Sequence, residues 1–317
     1  MACQGIGLSL FSLAATTRIL VNVPTPTYSS SPFALTLSIV VVSADSGPSL
    51  RECVRRLLTT ELALEVILVD NGSEDGIPAA IDRAYQSDLR LAVIYNRANL
   101  GFGPAVNIGA RQARGRALMV LNPDCLVQED DLKRLLAALE ARPKVGLVGA
   151  VVCDENGRPD PASRRRDPLL RRALNSLFWR AGEGINIGGE IPGELIEVEA
   201  LSGALMLMPR ALFQRIGGFD EDYFLHCEDL DLCRRVRDFG YKVMLAGDVR
   251  VLHGKGGSSR HRPVFVSRYK HRGMWRWFRK HDPAARNPVV AGVVWLGIWS
   301  HFLWQIPRQW WSLLRRR

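Results

Sequence analysis

The sequence predicts an α/β fold: a doubly wound, mostly parallel sheet of the Rossmann-like kind, with an insertion in its second half and a helical C-terminal tail. Three features predict it. Short β-branched runs without polar alternation mark strands buried on both faces. Segments with apolar residues at helical spacing separate those runs. Acidic residues stand just after several strands, where an open parallel sheet binds its ligands.

Leu37-Ser38-Ile39-Val40-Val41-Val42 is the first buried run. Pro48 then opens a helix whose Leu50, Val54, Leu57 and Leu58 share one face, with Arg51, Arg55 and Arg56 mostly elsewhere. Residues 65–69 form a second strand that enters Asp70-Asn71-Gly72-Ser73, and 91–95 a third. Residues 103–114 read as a helix and 117–121 as a fourth strand, entering Asn122-Pro123-Asp124. Leu132, Leu135, Leu136 and Leu139 define another helix, and 145–152 a fifth strand. From 153 to 197 the rhythm is lost amid Arg164-Arg165-Arg166 and several Gly and Pro, which predicts an irregular insertion beside the site. Strands are expected again at 197–201 and 204–208, then a short helix ending at Gly217-Gly218. A helix over 229–239 stops at Gly240, the residue type that takes the left-handed conformation after a helix, and short strands follow at 243–245 and 249–252.

The chain has 317 residues, 47% of them apolar, enough for a sizeable core, and a formal charge of +10 that favours phosphate-bearing partners. The six cysteines are scattered without a C-x-x-C pair, which suits reduced, buried thiols and a cytosolic catalytic part. Residues 6–15 are mildly apolar but lack a preceding basic segment and a cleavage site, so 1–36 reads as a leader and Pro/Ser/Thr-rich linker rather than a secretory signal.

Asp45, Asp70 and Asp124 follow successive predicted strands. One such Asp is commonly a turn former or cap; three together point to a site. The familiar phosphate loops are absent. No G-x-x-x-x-G-K-[ST] occurs, and Gly101-Phe102-Gly103-Pro104-Ala105-Val106 does not complete G-x-G-x-x-G. A carboxylate-bound Mg²⁺ or Mn²⁺ is the economical way to hold a diphosphate here.

Several blocks in order resemble family 2 glycosyltransferases of the GT-A fold. They are the 37–43 strand, Val69-Asp70-Asn71-Gly72-Ser73-Glu74-Asp75-Gly76, Asn99-Leu100-Gly101-Phe102-Gly103-Pro104-Ala105-Val106-Asn107, Leu121-Asn122-Pro123-Asp124, Gly217-Gly218-Phe219-Asp220 and Glu228-Asp229-Leu230-Asp231-Leu232. The Asn-Pro-Asp and Glu-Asp-Leu-Asp-Leu forms are similar to the rhamnosyltransferase-like branch. The resemblance covers roughly 37–257. It implies that 37–152 binds a nucleotide-diphosphate sugar, of dTDP or UDP type, and that 153–260 binds the acceptor. Ser43, Asp45, Asp70, Asn71, Asn99, Gly101, Asn107, Asn122 and Asp124 would surround the donor. Asp70 would accept from a uracil or thymine imide N–H. Ser43-Ala44-Asp45 departs from the family's frequent Ser-Tyr-Asn. Asp124 with His253 would hold the metal, and Asn122 stands where the family's motif often has a first Asp. Asp229 would be the general base, with Glu228 orienting or binding the acceptor and Gly203 letting the acceptor approach the backbone. At a helix start, Asp229 and Asp231 would also complement the helix dipole; Asp231 reads as mainly structural. The implied reaction inverts the anomeric centre, and the leading donor is dTDP-rhamnose.

The tail, 261–317, carries an apolar stretch over 289–299, then Phe302-Leu303-Trp304, interleaved with tryptophans and flanked by Lys270, Arg272, Arg276 and Arg315-Arg316-Arg317. Trp and basic residues together suit a membrane interface, so a peripheral or re-entrant anchor is expected; a packed or homodimer-forming helix and a span are the other readings. A polyprenyl-linked or other glycan acceptor and a place at the inner face of the plasma membrane follow from that reading. A sugar nucleotidyltransferase would show a Gly-rich loop with a basic residue after Val42, which is absent. A nucleic-acid binder would place basic and aromatic residues together on a sheet face. An inactive module keeping the fold is the remaining rival.

Overall fold

The computed structural model describes residues 35–178, 184–254 and 263–314. The leader expected over 1–36 lies outside them except for its last two residues, as do Cys3 and the arginines at 315–317. The first half runs β1 (Leu37–Ser43), α1 (Pro48–Leu58), β2 (Leu64–Asp70), α2 (Ile77–Ala84), β3 (Leu91–Tyr95), α3 (Phe102–Gln112), β4 (Ala117–Leu121), β5 (Cys125–Leu126), α4 (Glu129–Glu140) and β6 (Val145–Cys153). The second half runs β7 (Arg164–Arg165), α5 (Leu170–Phe178), β8 (Leu195–Glu197), β9 (Ala200–Leu201), β10 (Leu205–Pro209), α6 (Arg210–Arg215), α7 (Glu228–Asp238), β11 (Lys242–His253), α8 (Pro263–His281) and α9 (Pro288–Leu314).

The main sheet has nine strands, in the order β3-β2-β1-β4-β10-β6-β11-β5, with β8 beside β11. β3, β2, β1 and β4 pair in parallel, and so do β6 and β11. β10 runs antiparallel between β4 and β6, and β5 and β8 run against β11. The parallel pairings carry the longer ladders, so by paired length the sheet is mostly parallel. β1, β2, β4 and β6 are buried on both faces, as the unbroken apolar runs require: Val40, Val42, Ile67 and Val69 face one core with α3, α6 and α7, while Ile39, Val41, Val66 and Leu68 face another with α1, α2 and α4. Pro48 sits in the first turn of α1, and Leu50, Val54, Leu57 and Leu58 are buried. α3 lies close on the sheet because Gly109 has no side chain; a Cβ there would stand 2.7 Å from Val40 Cγ1.

Some boundaries differ from the sequence reading. The strand expected over 197–201 is two pieces, since β9 leaves the main sheet to pair with β7. The strands expected at 243–245 and 249–252 are one, β11, with its register broken between Ala246 and Arg250. The insertion is less irregular than expected: it holds α5, anchored where Arg172 grips Glu199 at 2.6 and 2.7 Å. The five described cysteines are all buried and unpaired.

Residues expected in the tail enter the main core. Trp277 of α8 is fully buried among side chains of the α7 side of the sheet. Lys280 Nζ and His281 Nε2 each meet Asp231 of α7 at 2.7 Å, and Arg276 and Lys280 hold Asp220. Trp277→Ala should lower unfolding free energy by about 3–5 kcal/mol in urea titration, the cost of emptying a large core site; an unchanged midpoint would mean that α8 is not part of the core.

Candidate active site

Parallel pairing of β2, β1 and β4 brings Ser43, Asp70 and Asp124 to the same edge of the sheet. Ser43 and Asp70 are register partners. Ser43 is fully buried, and its Oγ donates to Ser46 Oγ at 3.1 Å. Asp70 Oδ1 accepts from the Ser73 amide at 2.9 Å. Asp45 has φ 55° and is exposed; its Oδ1 accepts from the amides of Glu74 and Asp75 at 2.7 and 3.2 Å. Asp45, Asp70 and the 73–75 turn thus form one polar rim, with Ser43 buried beneath it.

Asn71, Asn107 and Gly101, expected around a donor, are spent on the protein itself. Asn71 is buried; its Nδ2 donates to Asn99 Oδ1 and Gly101 O at 3.0 and 3.1 Å, and its Oδ1 accepts from Asn96 Nδ2 and Leu100 N at 3.0 and 3.1 Å. An amide has two donors and two acceptor sites, so Asn71 is saturated. It shapes the loop that carries exposed Asn99, whose Oδ1 also takes the Gly101 amide at 3.0 Å. Asn107 is tied to Phe219 N and O, both at 2.9 Å, and to Glu221 Oε1 at 3.0 Å. Gly101 (φ 95°) backs onto Phe224, where a Cβ would lie 2.6 Å from the carbonyl oxygen. These residues fix the walls of the site. Sequence alone does not separate them from contact residues, because saturation is a tertiary property.

Asp124 and His253 come together through β5, whose Cys125 pairs with His253 on β11. Asp124 Oδ1 lies 3.1 Å from His253 Nε2, and Asn122 Nδ2 lies 3.3 Å from the same nitrogen. One Nε2 cannot both accept from an amide and donate to a carboxylate. A divalent cation would instead be bound by the Asp124 carboxylate and the Nε2 lone pair, two atoms close enough for one ion to bridge, with the Asn122 side chain turning its carbonyl oxygen toward it. Among the described residues no cluster of three or more His, Cys, Asp or Glu exists to cage a metal. The pair fits an ion that also takes ligands from substrate phosphate and water.

From Asn122 the site continues without a gap. The Asn122 amide donates to Ala204 O at 2.8 Å, and the Gly203 amide donates to Asp229 Oδ2 at 3.0 Å. A Cβ on Gly203 would sit 3.2 Å from Asp229 Cβ. Asp229 Oδ1 accepts from the Leu230 amide at 2.8 Å, and Arg165 Nη2 meets Oδ2 at 2.5 Å. Arg165 is the residue that sequence reasoning missed. Its signal was the arginine triplet in a segment read only as irregular; Arg164 instead clamps the carbonyls of Ile187, Gly188, Gly189 and Glu190. Glu228 is buried, and its Oε2 meets no hydrogen-bond partner among the described residues. Burial first, then the charge of Asp229, push its carboxyl up to about 8. Asp231 is the opposite case. Burial would raise it, but the His281, Arg235 and Lys280 partners hold it well below the carboxylate range, which agrees with the structural role expected for it.

Residues 38–194 match the family described as glycosyl transferase family 2. The N-acetylglucosaminyl-diphospho-decaprenol L-rhamnosyltransferase of Mycobacterium tuberculosis (strain H37Rv) is 30% identical over 288 residues, covering 80% of this chain and 92% of that protein. The rhamnosyltransferase WbbL of Escherichia coli K12 is 27% identical over 221 residues, covering 59% and 82%. Among solved structures, the mannosyltransferase PcManGT of Pyrobaculum calidifontis, in complex with GDP-Man and Mn²⁺, superposes with a TM-score of 0.55 at 21% identity, covering 92% of this chain and 76% of that one. GalNAc-T7 with UDP, GalNAc and Mn²⁺ gives 0.58 at 17%, covering 78% of this chain and 48% of that one, so this chain spans about half of it. These likenesses show the GT-A fold.

Glu228 also sets a pH dependence of stability. Its folded carboxyl titrates above its unfolded value, so the folded state holds an extra proton between about pH 4.5 and about 8. Stability contributed by the neutral form is present at the acid end and lost as pH rises through that window. Wild-type unfolding free energy should fall by on the order of 3 kcal/mol from pH 5 to pH 7.5 through this group, and Glu228→Gln should remove that slope in thermal unfolding against pH. An equally steep slope in the variant would assign it to another group.

Proposed function

The chain belongs to glycosyl transferase family 2, and on that premise we propose that it transfers rhamnose from dTDP-rhamnose, with inversion, to a hydroxyl of a polyprenyl-diphosphate-linked glycan. This step serves cell-envelope polysaccharide synthesis at the inner face of the plasma membrane. The observation that carries the reading is the continuous path from Asp124 and His253, through the Asn122–Ala204 bond and Gly203, to Asp229. It sets a seat for the donor diphosphate beside a carboxylate able to meet an acceptor. The rhamnosyltransferase names of both relatives support the sugar, and the diphospho-decaprenol in the name of the mycobacterial one supports the acceptor class.

In this reading residues 37–152 hold the donor and 153–260 the acceptor. Asp70 and Asp45 line the nucleoside with Ser43, and Asn71, Asn99, Gly101 and Asn107 keep that rim in shape. Asp124 and His253, with Asn122 beside them, would hold a divalent ion, for which imidazole would favour Mn²⁺ over Mg²⁺. Such an ion neutralises charge gathering on the departing diphosphate. Asp229 accepts the acceptor hydroxyl proton while that oxygen bonds to the anomeric carbon and the bond to diphosphate breaks on the opposite side. Gly203 leaves room for the acceptor against the backbone, and Glu228 lies beside it.

α9 supports the membrane contact. Pro288–Pro307 has a mean hydropathy of 1.5 with only 11% of its residues buried. Val289, Val293, Trp295, Leu296, Leu303 and Trp304 are all exposed. The buried side of the helix packs Ala291 with Phe278 of α8, which favours lying on a bilayer over crossing it.

Asp229→Asn should reduce transfer by about 10²–10⁴-fold while dTDP-rhamnose still raises the melting temperature; near wild-type turnover would remove Asp229 as base. Chelation should abolish transfer and added Mn²⁺ restore it, whereas His253→Ala should need more Mn²⁺ for half-maximal rate. Leu296→Glu with Leu303→Glu should release the protein from phosphatidylglycerol vesicles in flotation. Retention on vesicles would move the contact elsewhere, and a dimer-to-monomer change without any vesicle binding would make this face a homodimer interface.

A further inference from the structure

Asp229 does not stand alone. Glu228 precedes it at the start of α7, so two carboxyl groups share one desolvated place. Both cannot be charged there without a counter-ion. Arg165 supplies it from the insertion. Its side chain is 13% exposed and that of Asp229 14%, and the two meet at 2.5 Å. The same Nη2 also reaches Leu201 O, on the strand paired with its own. The Asp229 carboxylate is therefore gripped from two directions: by Arg165 and the Gly203 amide on Oδ2, and by the Leu230 amide on Oδ1. Glu228 receives no such partner at Oε2.

The other titratable groups nearby do not replace Arg165. Burial pushes the Cys227 and Cys233 thiols up, so they stay neutral. Desolvation of the ring by neighbouring atoms holds the His226 imidazole below its usual value, although the residue is exposed at its surface side. Lys270 of α8 acts on His226 and Cys227 from a distance.

We infer that Arg165 is the positioning residue for the proton acceptor: it fixes the rotamer of Asp229 and brings a guanidinium to the place where two neighbouring carboxyl groups are shielded from water. The inference rests on Asp229 being the base. It gives the insertion a task in the reaction, because the strand carrying Arg165 must be paired with β9 for the site to be competent. Acceptors that engage the insertion would then be coupled to the readiness of the base.

The test is the pH profile of kcat/KM for transfer from dTDP-rhamnose to a polyprenyl-diphosphate-N-acetylglucosamine acceptor, in wild type, Arg165→Gln and Arg165→Lys, with Asp229→Asn beside them. Arg165→Gln should move the acid limb upward by about one pH unit or more and lower kcat about 10²-fold, with the donor KM unchanged. Arg165→Lys should keep the limb near wild type, because the charge remains, yet lose part of kcat, because an ammonium lacks the planar fork. An unmoved acid limb in Arg165→Gln, with Asp229→Asn inactive, overturns the role of Arg165 and leaves the base in place. Activity in Asp229→Asn overturns the base itself. If Arg165→Gln fails to fold, Arg165→Lys decides: lowered kcat with the limb in place upholds positioning, and wild-type kcat refutes it.

Discussion

Antiparallel β10 is the constraint on which the rest of the molecule depends. It pairs with β4 from Leu205↔Leu121 to Pro209↔Ala117 and joins β6 on its other side, so it closes the gap between two parallel groups of strands. Its register also continues past the strand end, where the Asn122 amide finds Ala204 O. Gly203 is thereby delivered to the edge where the strands end, and α7 is brought up against it. A one-residue slip would exchange Met206 and Met208 with Leu205 and Leu207 between the two cores and break the Asn122–Ala204 bond that leads to Gly203.

The donor half was legible because its signals are local. β1, β2 and β4 announce themselves by unbroken β-branched runs, and α1 by Pro48 and a clean apolar face. α2 was not read: its eight residues, with only Pro78 and Ile81 buried, are too few to set up a period. The second half resists for a different reason. β7 and β9 are two residues each, and their pairing joins positions 35 and 37 apart, which no window of sequence reports. The resemblance to family 2 brought His253 beside Asp124 when spacing could not. Chemistry by residue type had its limit at the asparagines: Asn71 and Asn107 look like ligand contacts, but their amides are consumed inside the fold.

Helix α7 concentrates charge in a way that sorts roles. Glu228 is buried with its Oε2 unpartnered among the described residues, Asp229 is held by one arginine and backbone amides, and Asp231 is surrounded by Arg235, Lys280 and His281. Three neighbouring carboxylates thus meet three environments, which range from protonated at neutral pH to firmly ionised. Removing one cation from such a set leaves an uncompensated buried charge, which costs more than the pair itself contributes.

The grip of Lys280 and His281 on Asp231 has a practical consequence for anyone shortening this protein. The C-terminal region looks like a detachable handle, yet its first helix braces the helix that carries Glu228 and Asp229. Cutting before that brace would discard a wall of the reaction chamber along with the greasy segment, so a version engineered for easy handling should be trimmed only beyond it, or have its outer face recoloured with charge instead.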